Sequence, residues 1–329
     1  MEHSLEDTVA RLRAAGEPTR LRILALLRRG DLAVGELVQI LGLSQPRLSH
    51  QLKVLANAGL VTRLPEGAWV FYRARRDGPA GELIDLVLSQ ADLTIGAFAR
   101  DAAQLSAIEA SRASAAAAYF DHVAQTWDAI RALHYPEQAI ETALLETAGS
   151  GPFGRVIDIG TGTGRMLTLF APLAQRAEGL DLSHQMLTVA RDNLARSQVR
   201  NADVRQGDAC ATPFEEASAD LVIVHQVLHY IDRPDQVLRE ADRILAPGGK
   251  LLIVDFAPHD LEFLRAEHGH RRLGVAEDAL TDWARGTRLV PRLEHRFDPP
   301  DATRDGLSVV IWSAQKPGRK PALVEEAAA

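Results

Sequence analysis

Val156-Ile157-Asp158-Ile159-Gly160-Thr161-Gly162-Thr163-Gly164 is the stretch on which the fold is read. Four residues with a strand's hydrophobicity run into a turn with glycine at every second position. A helical pattern follows, carried by Met166, Leu167, Leu169 and Phe170. Strand, Gly-rich turn and helix form the opening unit of a nucleotide-binding α/β fold. Glycine permits tight bends and leaves no Cβ in a ligand's way. The helix N-terminus then turns its free N–H groups toward whatever sits there. Alone, the pattern suits several nucleotides, so its surroundings must decide.

Downstream, hydrophobic runs and helical patterns alternate. Strands are expected at Ala177–Leu182, Val204–Gly207, Ala219–Val224 and Lys250–Phe256, with helices at Met186–Ala195 and Val237–Leu245. Pro247-Gly248-Gly249 is expected to turn the chain into the fifth strand, and a terminal pair spans 293–297 and 307–315. This order predicts a doubly wound, mostly parallel sheet of Rossmann-like type, with ligands at the carboxyl ends of its strands.

Those ends carry carboxylates. Asp181 lies 21 residues after Gly160 and can accept hydrogen bonds from both hydroxyls of a ribose. Asp208 closes the next strand, where it can meet an adenine amino group, and Ala209 can offer its backbone N–H to a ring nitrogen. The alternative for each aspartate is a helix cap or turn residue. A pyrophosphate would be repelled by Asp158, and no lysine follows the glycines, which excludes a P-loop. S-adenosylmethionine has no phosphate and carries a sulfonium and an ammonium. Asp158, Asp181 and Asp208 therefore favour it over NAD or ATP. A CxxxCxxC run is missing, which argues against radical use of that cofactor.

Composition bounds the rest. The 329 residues suffice for two domains, and 46% hydrophobic content supports globular cores. No run of about 18 apolar residues occurs, so no membrane span is expected. The acidic first residues lack an apolar signal core, and the single cysteine, Cys210, allows no intrachain disulfide; a cytoplasmic protein is expected. One cysteine also excludes a cysteine-ligated iron–sulfur cluster and disfavours structural zinc. The net charge of −7 is uneven: residues 1–76 hold 12 Lys/Arg against 7 Asp/Glu, leaving 25 against 37 for the remainder. A basic piece on an acidic body suggests an anionic partner for the first part only.

That first part reads as a helix over roughly 5–29, interrupted near Gly16-Glu17-Pro18, then a short helix with Val34, Leu37, Ile40 and Leu41 that Gly42 ends. Ser44 is expected to cap a third helix burying Leu48, Leu52 and Leu55. Its other face shows Gln45, Arg47, Ser49, His50, Gln51 and Lys53, a short cationic surface suited to a major groove. Two strands, near 60–64 and 69–73 and joined through Pro65-Glu66-Gly67, offer Arg63, Arg73, Arg75 and Arg76 to phosphate or minor groove. The whole is a winged helix-turn-helix with double-stranded DNA as its expected partner through residues 1–77; a small interaction domain with a solvated polar face is the alternative.

Residues 17–24 and 43–55 resemble the ArsR/SmtB family of winged-helix repressors, as do Ala58-Gly59-Leu60-Val61 and the ribbon. The resemblance covers about residues 5–80 and implies a homodimer with two recognition helices in successive major grooves. Metal-sensing members often carry cysteines before the recognition helix. Here that segment reads Leu32-Ala33-Val34-Gly35-Glu36-Leu37, so soft-metal sensing there is not expected.

A second resemblance covers about residues 119–316. The glycine stretch, Gly179-Leu180-Asp181-Leu182-Ser183, Gln206-Gly207-Asp208-Ala209 and 244–251 are similar to class I S-adenosylmethionine-dependent methyltransferases. Residues 224–231 resemble the ubiquinone-biosynthesis and arsenite methyltransferase-like branch. The resemblance implies that Gly160 and Gly162 approach the methionine part and that Asp181 holds the ribose, with Gly164 and Leu182 also among the cofactor-binding residues. It also implies Met186 near adenine, Asp208 on its amino group and His225 near the methyl donor. Arsenite methylation needs several thiolates, which Cys210 alone cannot supply. The Asn/Asp-Pro-Pro-aromatic run of nucleic-acid amino methylases is missing where His225-Gln226-Val227 stands, so a small-molecule acceptor is expected.

His225, His229 and Tyr230 are the candidate catalytic residues, with packing as the alternative for each. His259, Glu267, His268 and His270 read as part of a charged lid helix rather than a metal site, and Arg265, Arg271 and Arg272 as possible holders of an acidic substrate. The expected division is a winged-helix domain at 1–95, a helical linker at 96–118, a methyltransferase domain at 119–316 opening on the aromatics Tyr119, Phe120 and Trp127 as a lid or as core packing, and a flexible tail at 317–329. Two functions remain: catalysis on a small molecule, or non-catalytic sensing of S-adenosylmethionine or S-adenosylhomocysteine by a repressor.

Overall fold

The computed structural model describes residues 4–66, 69–76, 78–123, 137–299 and 306–318. Gly67 of the expected turn, Trp127 of the expected lid and residues 319–329 of the tail lie outside them. The chain divides into two compact units, Met1–Ala115 and Ala116–Ala329.

The first unit opens with α1 (Leu5–Ala15) and α2 (Pro18–Arg29). Ser4 caps α1, and Pro18 stands in the first turn of α2, where its missing N–H costs nothing. β1 (Leu32–Ala33), α3 (Val34–Leu41) and α4 (Gln45–Asn57) follow. Gly42 ends α3 in the left-handed conformation with φ 65°, as its position suggests. Ser44 holds the N-cap position of α4, but its hydroxyl makes no cap bond, which corrects the expected role. β2 (Val61–Glu66) and β3 (Trp69–Ala74) pair antiparallel, and β1 adds to β3 to give the wing. Ile23, Leu24 and Leu27 of α2 meet Leu37 of α3 and Leu48, Leu52 and Leu55 of α4 in one buried cluster.

Two helices follow the wing, α5 (Gly78–Ser89) and α6 (Gly96–Val123). Between them the Asp92 carboxylate accepts the backbone N–H and hydroxyl of Thr94, a local turn that competes with helix. The start of α6 is no linker. Asp101 is 3% exposed and takes two bonds, of 2.6 and 2.7 Å, from the Arg22 guanidinium, while Leu105 and Ile108 pack on the same core. The winged-helix unit therefore extends past residue 95.

The second unit contains α7 (Glu137–Ala148), β4 (Phe153–Ile159), α8 (Arg165–Phe170), β5 (Ala174–Asp181), α9 (His184–Arg196) and β6 (Ala202–Gln206). β7 (Ala219–His225), α10 (Pro234–Ile244), β8 (Leu245–Phe256), α11 (Phe263–His268), α12 (Glu277–Ala284), β9 (Arg292–Phe297) and β10 (Val309–Gln315) complete it. The described strands form a seven-stranded sheet in the order β6-β5-β4-β7-β8-β10-β9. The first five run parallel, and β10 and β9 are antiparallel additions at the far edge. Ile157, Ile159, Val222 and Val224 face one buried layer, while Val156, Leu221 and Ile223 face the other. Burial on both faces explains why these strands read as continuous apolar runs. Pro247-Gly248-Gly249 lies inside β8 instead of preceding it. The order reverses direction at β4, which places a crevice at the carboxyl ends of β4, β5 and β7.

Candidate functional site

The glycine turn leaves β4 under the carboxyl edge of the sheet. Gly160, Gly162 and Gly164 all have positive φ, at 76°, 52° and 81°. Their surroundings differ. A Cβ on Gly160 would come within 2.3 Å of Val227 Cγ2, and one on Gly164 within 3.2 Å of Ala190 Cβ. One on Gly162 would meet nothing within 4 Å. Gly160 is thus required by protein packing, Gly164 is closely packed against Ala190, and Gly162 faces open space. Asp158 is 1% exposed and accepts the Thr161 hydroxyl at 2.6 Å, so this carboxylate shapes the turn from below.

Asp181 is the last residue of β5. Its Oδ2 accepts the Gly162 N–H at 2.8 Å, and its Oδ1 accepts the Ser183 N–H at 2.9 Å. Ser183 in turn caps α9 by accepting the Met186 N–H. The carboxylate thus ties the glycine turn to the next helix. Leu182 beside it is 48% exposed, whereas Met186 is 1% exposed. Of those two, Leu182 presents the open apolar surface. Asp208 is exposed, and its Oδ1 accepts the Cys210 N–H at 2.8 Å. Burial and the nearby Asp208 charge push the Cys210 thiol up to about 12, so it is no thiolate nucleophile at neutral pH.

His225 ends β7, half-buried, and Gln226 follows at φ 56°, a left-handed conformation that costs a non-glycine residue free energy. Its N–H donates to the Val254 carbonyl at 2.7 Å. That kink sends 227–232 back across the carboxyl ends of β7 and β8. His229 there is 1% exposed, with Nδ1 2.6 Å from Oδ1 of Asp255, which is 0% exposed. Tyr230 packs on His229 with ring centroids 4.1 Å apart and meets the edge of Phe120 at 4.7 Å. His270 lies 4.3 Å from the His229 ring, and His259 completes the group at 6.5 Å from His270.

Burial and the neighbouring His229 hold His270 well below the usual imidazole range and lower His259 to about 4. Among the described residues, no set of three or more His, Cys, Asp and Glu side chains converges as a metal-binding group. The arginines of this segment are engaged within the protein. Arg271 pairs with Asp232 at 2.9 Å, Arg272 reaches the Ile231 and Asp232 carbonyls and stacks on Trp283, and Arg265 donates to the Arg271 carbonyl. The His229 carbonyl also accepts the N–H groups of Arg271 and Arg272. These arginines pin the 259–275 segment onto the loop after β7, which corrects their assignment to an acidic substrate. α11 within it spans only six residues.

In the first unit, Gln45, Arg47, Ser49, His50 and Lys53 are exposed together on α4, and Arg63 is exposed on β2. Gln51 accepts the Arg20 guanidinium and serves the fold. Arg73 departs from expectation. It is 9% exposed, and its Nε and Nη2 donate to the two Asp31 oxygens at 2.9 and 2.7 Å. A buried bidentate pair joins β3 to the turn before β1, so Arg73 is withdrawn from the DNA-contact set.

Residues 17–63 match the family described as "Bacterial regulatory protein, arsR family", and residues 157–253 match the "Methyltransferase domain" family. The chain joins an arsR-family regulatory domain to a methyltransferase domain. Over 145 residues it is 30% identical to the uncharacterized methyltransferase YcgJ of Bacillus subtilis (strain 168), covering 43% of this chain and 57% of that protein. Over 125 residues it is 33% identical to the ubiquinone/menaquinone biosynthesis C-methyltransferase UbiE of Shewanella sp. (strain ANA-3), covering 37% of this chain and 50% of that protein. The chain thus spans about half the length of the curated relatives it matches. The crystal structure of Bacillus subtilis YcgJ superposes with a TM-score of 0.47 at 19% identity, covering 54% of this chain and 98% of that one.

Asp255 escaped sequence reading as a site component. Asp255 had one signal, a lone carboxylate ending the apolar run Leu251-Leu252-Ile253-Val254. Its partner 26 residues earlier carries no local pattern.

Proposed function

We propose that this protein is a DNA-binding transcriptional regulator fused to an S-adenosylmethionine-dependent methyltransferase acting on a small molecule. The observation that carries the reading is the Asp181 carboxylate, fixed at the end of β5 by the Gly162 and Ser183 N–H groups beside the open face of Gly162. The residues fit the cofactor. Asp181 would take the ribose hydroxyls, Leu182 and Ala209 the adenine faces and edge, and Asp208 its amino group; Gly162 leaves room for the methionine part. Asp158 adds negative potential beneath the turn, favourable to a cationic ligand and unfavourable to phosphate. When bound, S-adenosylmethionine supplies an electrophilic methyl group whose bond to sulfur breaks, the electron pair passing to sulfur, as the acceptor's bond to carbon forms. The chain's part is to position the acceptor and exclude water under the loop after β7.

The UbiE relatives, named for quinone biosynthesis, support a small-molecule acceptor. In the first unit the exposed face of α4 would enter the major groove, with Arg63 on the wing near the backbone. Leu5 and Leu12 of α1 and Leu86 of α5 are 77%, 50% and 61% exposed, apolar surface that a homodimer would cover. No helix among the described residues is long and apolar enough to cross a membrane, and a cytoplasmic location completes the proposal.

Methyl transfer from isotope-labelled S-adenosylmethionine to a cell metabolite extract tests the reading. Labelled small-molecule product supports it. Cofactor binding without product in any extract overturns catalysis in favour of a sensing domain. DNA affinity measured with S-adenosylmethionine, S-adenosylhomocysteine or neither tests coupling between the domains, and equal affinity in all three conditions excludes it.

A further inference from the structure

We propose that His229, oriented by Asp255, takes the proton of a neutral hydroxyl acceptor. The inference rests on the methyltransferase reading and names the acceptor chemistry of that site. Asp255 Oδ1 receives two donors, the His229 Nδ1–H at 2.6 Å and the Phe256 backbone N–H at 2.8 Å. An oxygen that already accepts a backbone N–H acts as acceptor toward the ring as well, which fixes its imidazole partner as the Nδ1–H tautomer. The lone pair of His229 is then on Nε2. That atom is buried and has no hydrogen-bond partner among the described residues. Asp255 Oδ2 and His270 Nδ1 are likewise buried without one. Three such polar atoms in one cluster cost several kcal/mol in an inert core, at about 1–3 kcal/mol each. A protic ligand that donates to Nε2 relieves the share of this cost carried by His229.

The position agrees. His229 follows the strand that borders the glycine-bearing β4, and Val227, two residues earlier, packs against Gly160. The ring is covered by Tyr230, itself capped by Phe120, so the acceptor reaches Nε2 when this aromatic pair shifts. Several features select the acceptor. Arg265, Arg271 and Arg272 are engaged internally, and His259 and His270 are neutral at pH 7, so the described walls offer an anion little. A thiol ionises unaided near neutral pH, whereas a hydroxyl needs a base as it attacks. The acceptor O–H bond breaks with its electron pair left on oxygen, and that oxygen forms the new bond to the methyl carbon. The proton goes to Nε2. Asp255 stabilises the imidazolium until it returns the proton to water.

Proton placement can be read without turnover. Long-range ¹H–¹⁵N spectra of the full-length protein, labelled in histidine and assigned with His229→Gln, should show His229 as the Nδ1–H tautomer with bare Nε2 at pH 7.5. In Asp255→Asn this preference should be lost. Calorimetry should give the same S-adenosylmethionine affinity, within about twofold, in wild type, H229Q and D255N, while turnover of the extract acceptor falls by about 10²–10⁴ in H229Q. An Nε2–H tautomer in the wild type overturns the proposal whatever the activity. So does turnover within threefold of wild type in H229Q. Failure of the wild type to bind cofactor at all would instead refute the methyltransferase reading beneath it.

Discussion

Alanine at Gly160 and at Gly162 should have opposite signatures, although the two glycines look equivalent in sequence. Both sit at positive φ, so either substitution places an L side chain in the left-handed region at about 1–2 kcal/mol. At Gly160 the new methyl also meets Val227, with Cγ2 at 2.3 Å and Cγ1 at 3.0 Å. Valine has few rotamers to retreat into, and its loop is pinned by the contacts of His229, so overpacking adds about 1–3 kcal/mol. Gly160→Ala should therefore destabilise the methyltransferase unit by about 2–5 kcal/mol, lowering its melting temperature by roughly 5–20 °C. Gly162→Ala meets no neighbour and should cost only the backbone term, about 1–2 kcal/mol, yet should weaken cofactor binding because its methyl projects where the ligand is placed. Thermal unfolding and calorimetric titration of both variants separate the effects. Adding Val227→Ala should recover about 1–2 kcal/mol in the Gly160→Ala background, a coupling that a double-mutant cycle reads directly. Equal melting temperatures for the two glycine variants, with no coupling to Val227, would refute the packing argument.

Other consequences follow from the same geometry. Asp31→Ala removes the bidentate partner of the buried Arg73 guanidinium and should cost the winged-helix unit about 3–5 kcal/mol in denaturant unfolding; a loss below 1 kcal/mol would show that the pair does not hold the fold. Lys53→Ala and Arg63→Ala should each reduce the salt dependence of DNA binding by about one unit of slope, with little change in unfolding midpoint. His259 and His270 titrate below the ordinary imidazole value in the folded protein, so unfolding gains protons as pH falls. The stability they confer is complete above about pH 6.5, is lost progressively toward about pH 4 as the unfolded chain protonates, and the loss continues lower for His270. Urea midpoints from pH 7.5 to 4.5 should fall accordingly, and His270→Gln should flatten the slope; an unchanged slope would remove His270 from this account.

Much of the fold was legible because each signal was local. The run from Val156 into Gly160 announces a strand and its turn, and Leu48, Leu52 and Leu55 announce the buried stripe of α4. The place of Asp181 was legible for the same reason, at a strand end a fixed distance beyond the glycines. The failures share a cause as well. Arg73 reads as a free cation until Asp31, 42 residues earlier, is seen beside it. Arg271 and Arg272 read as a basic surface until the fold brings Asp232 and the His229 carbonyl against them. Long-range pairing decides whether a charge is available, and no spacing rule encodes it. The break between α5 and α6 had a local signal in Asp92 and Thr94, outweighed by the apolar periodicity on either side. The end of the first unit was misplaced because Asp101 shows its role only when Arg22 folds back to it.

The central claim is a phosphate-free, cation-favouring nucleotide site at the end of β4 and β5. Competitive calorimetric titration of the full-length protein with S-adenosylmethionine, S-adenosylhomocysteine, ATP and NAD tests it most directly. S-adenosylmethionine and S-adenosylhomocysteine should bind one site per chain, ATP and NAD more than about tenfold weaker, a difference of at least ~1.4 kcal/mol, and Asp181→Ala should abolish the preference. Binding of ATP or NAD as tight as that of S-adenosylmethionine, or affinity unchanged in Asp181→Ala, would contradict the account.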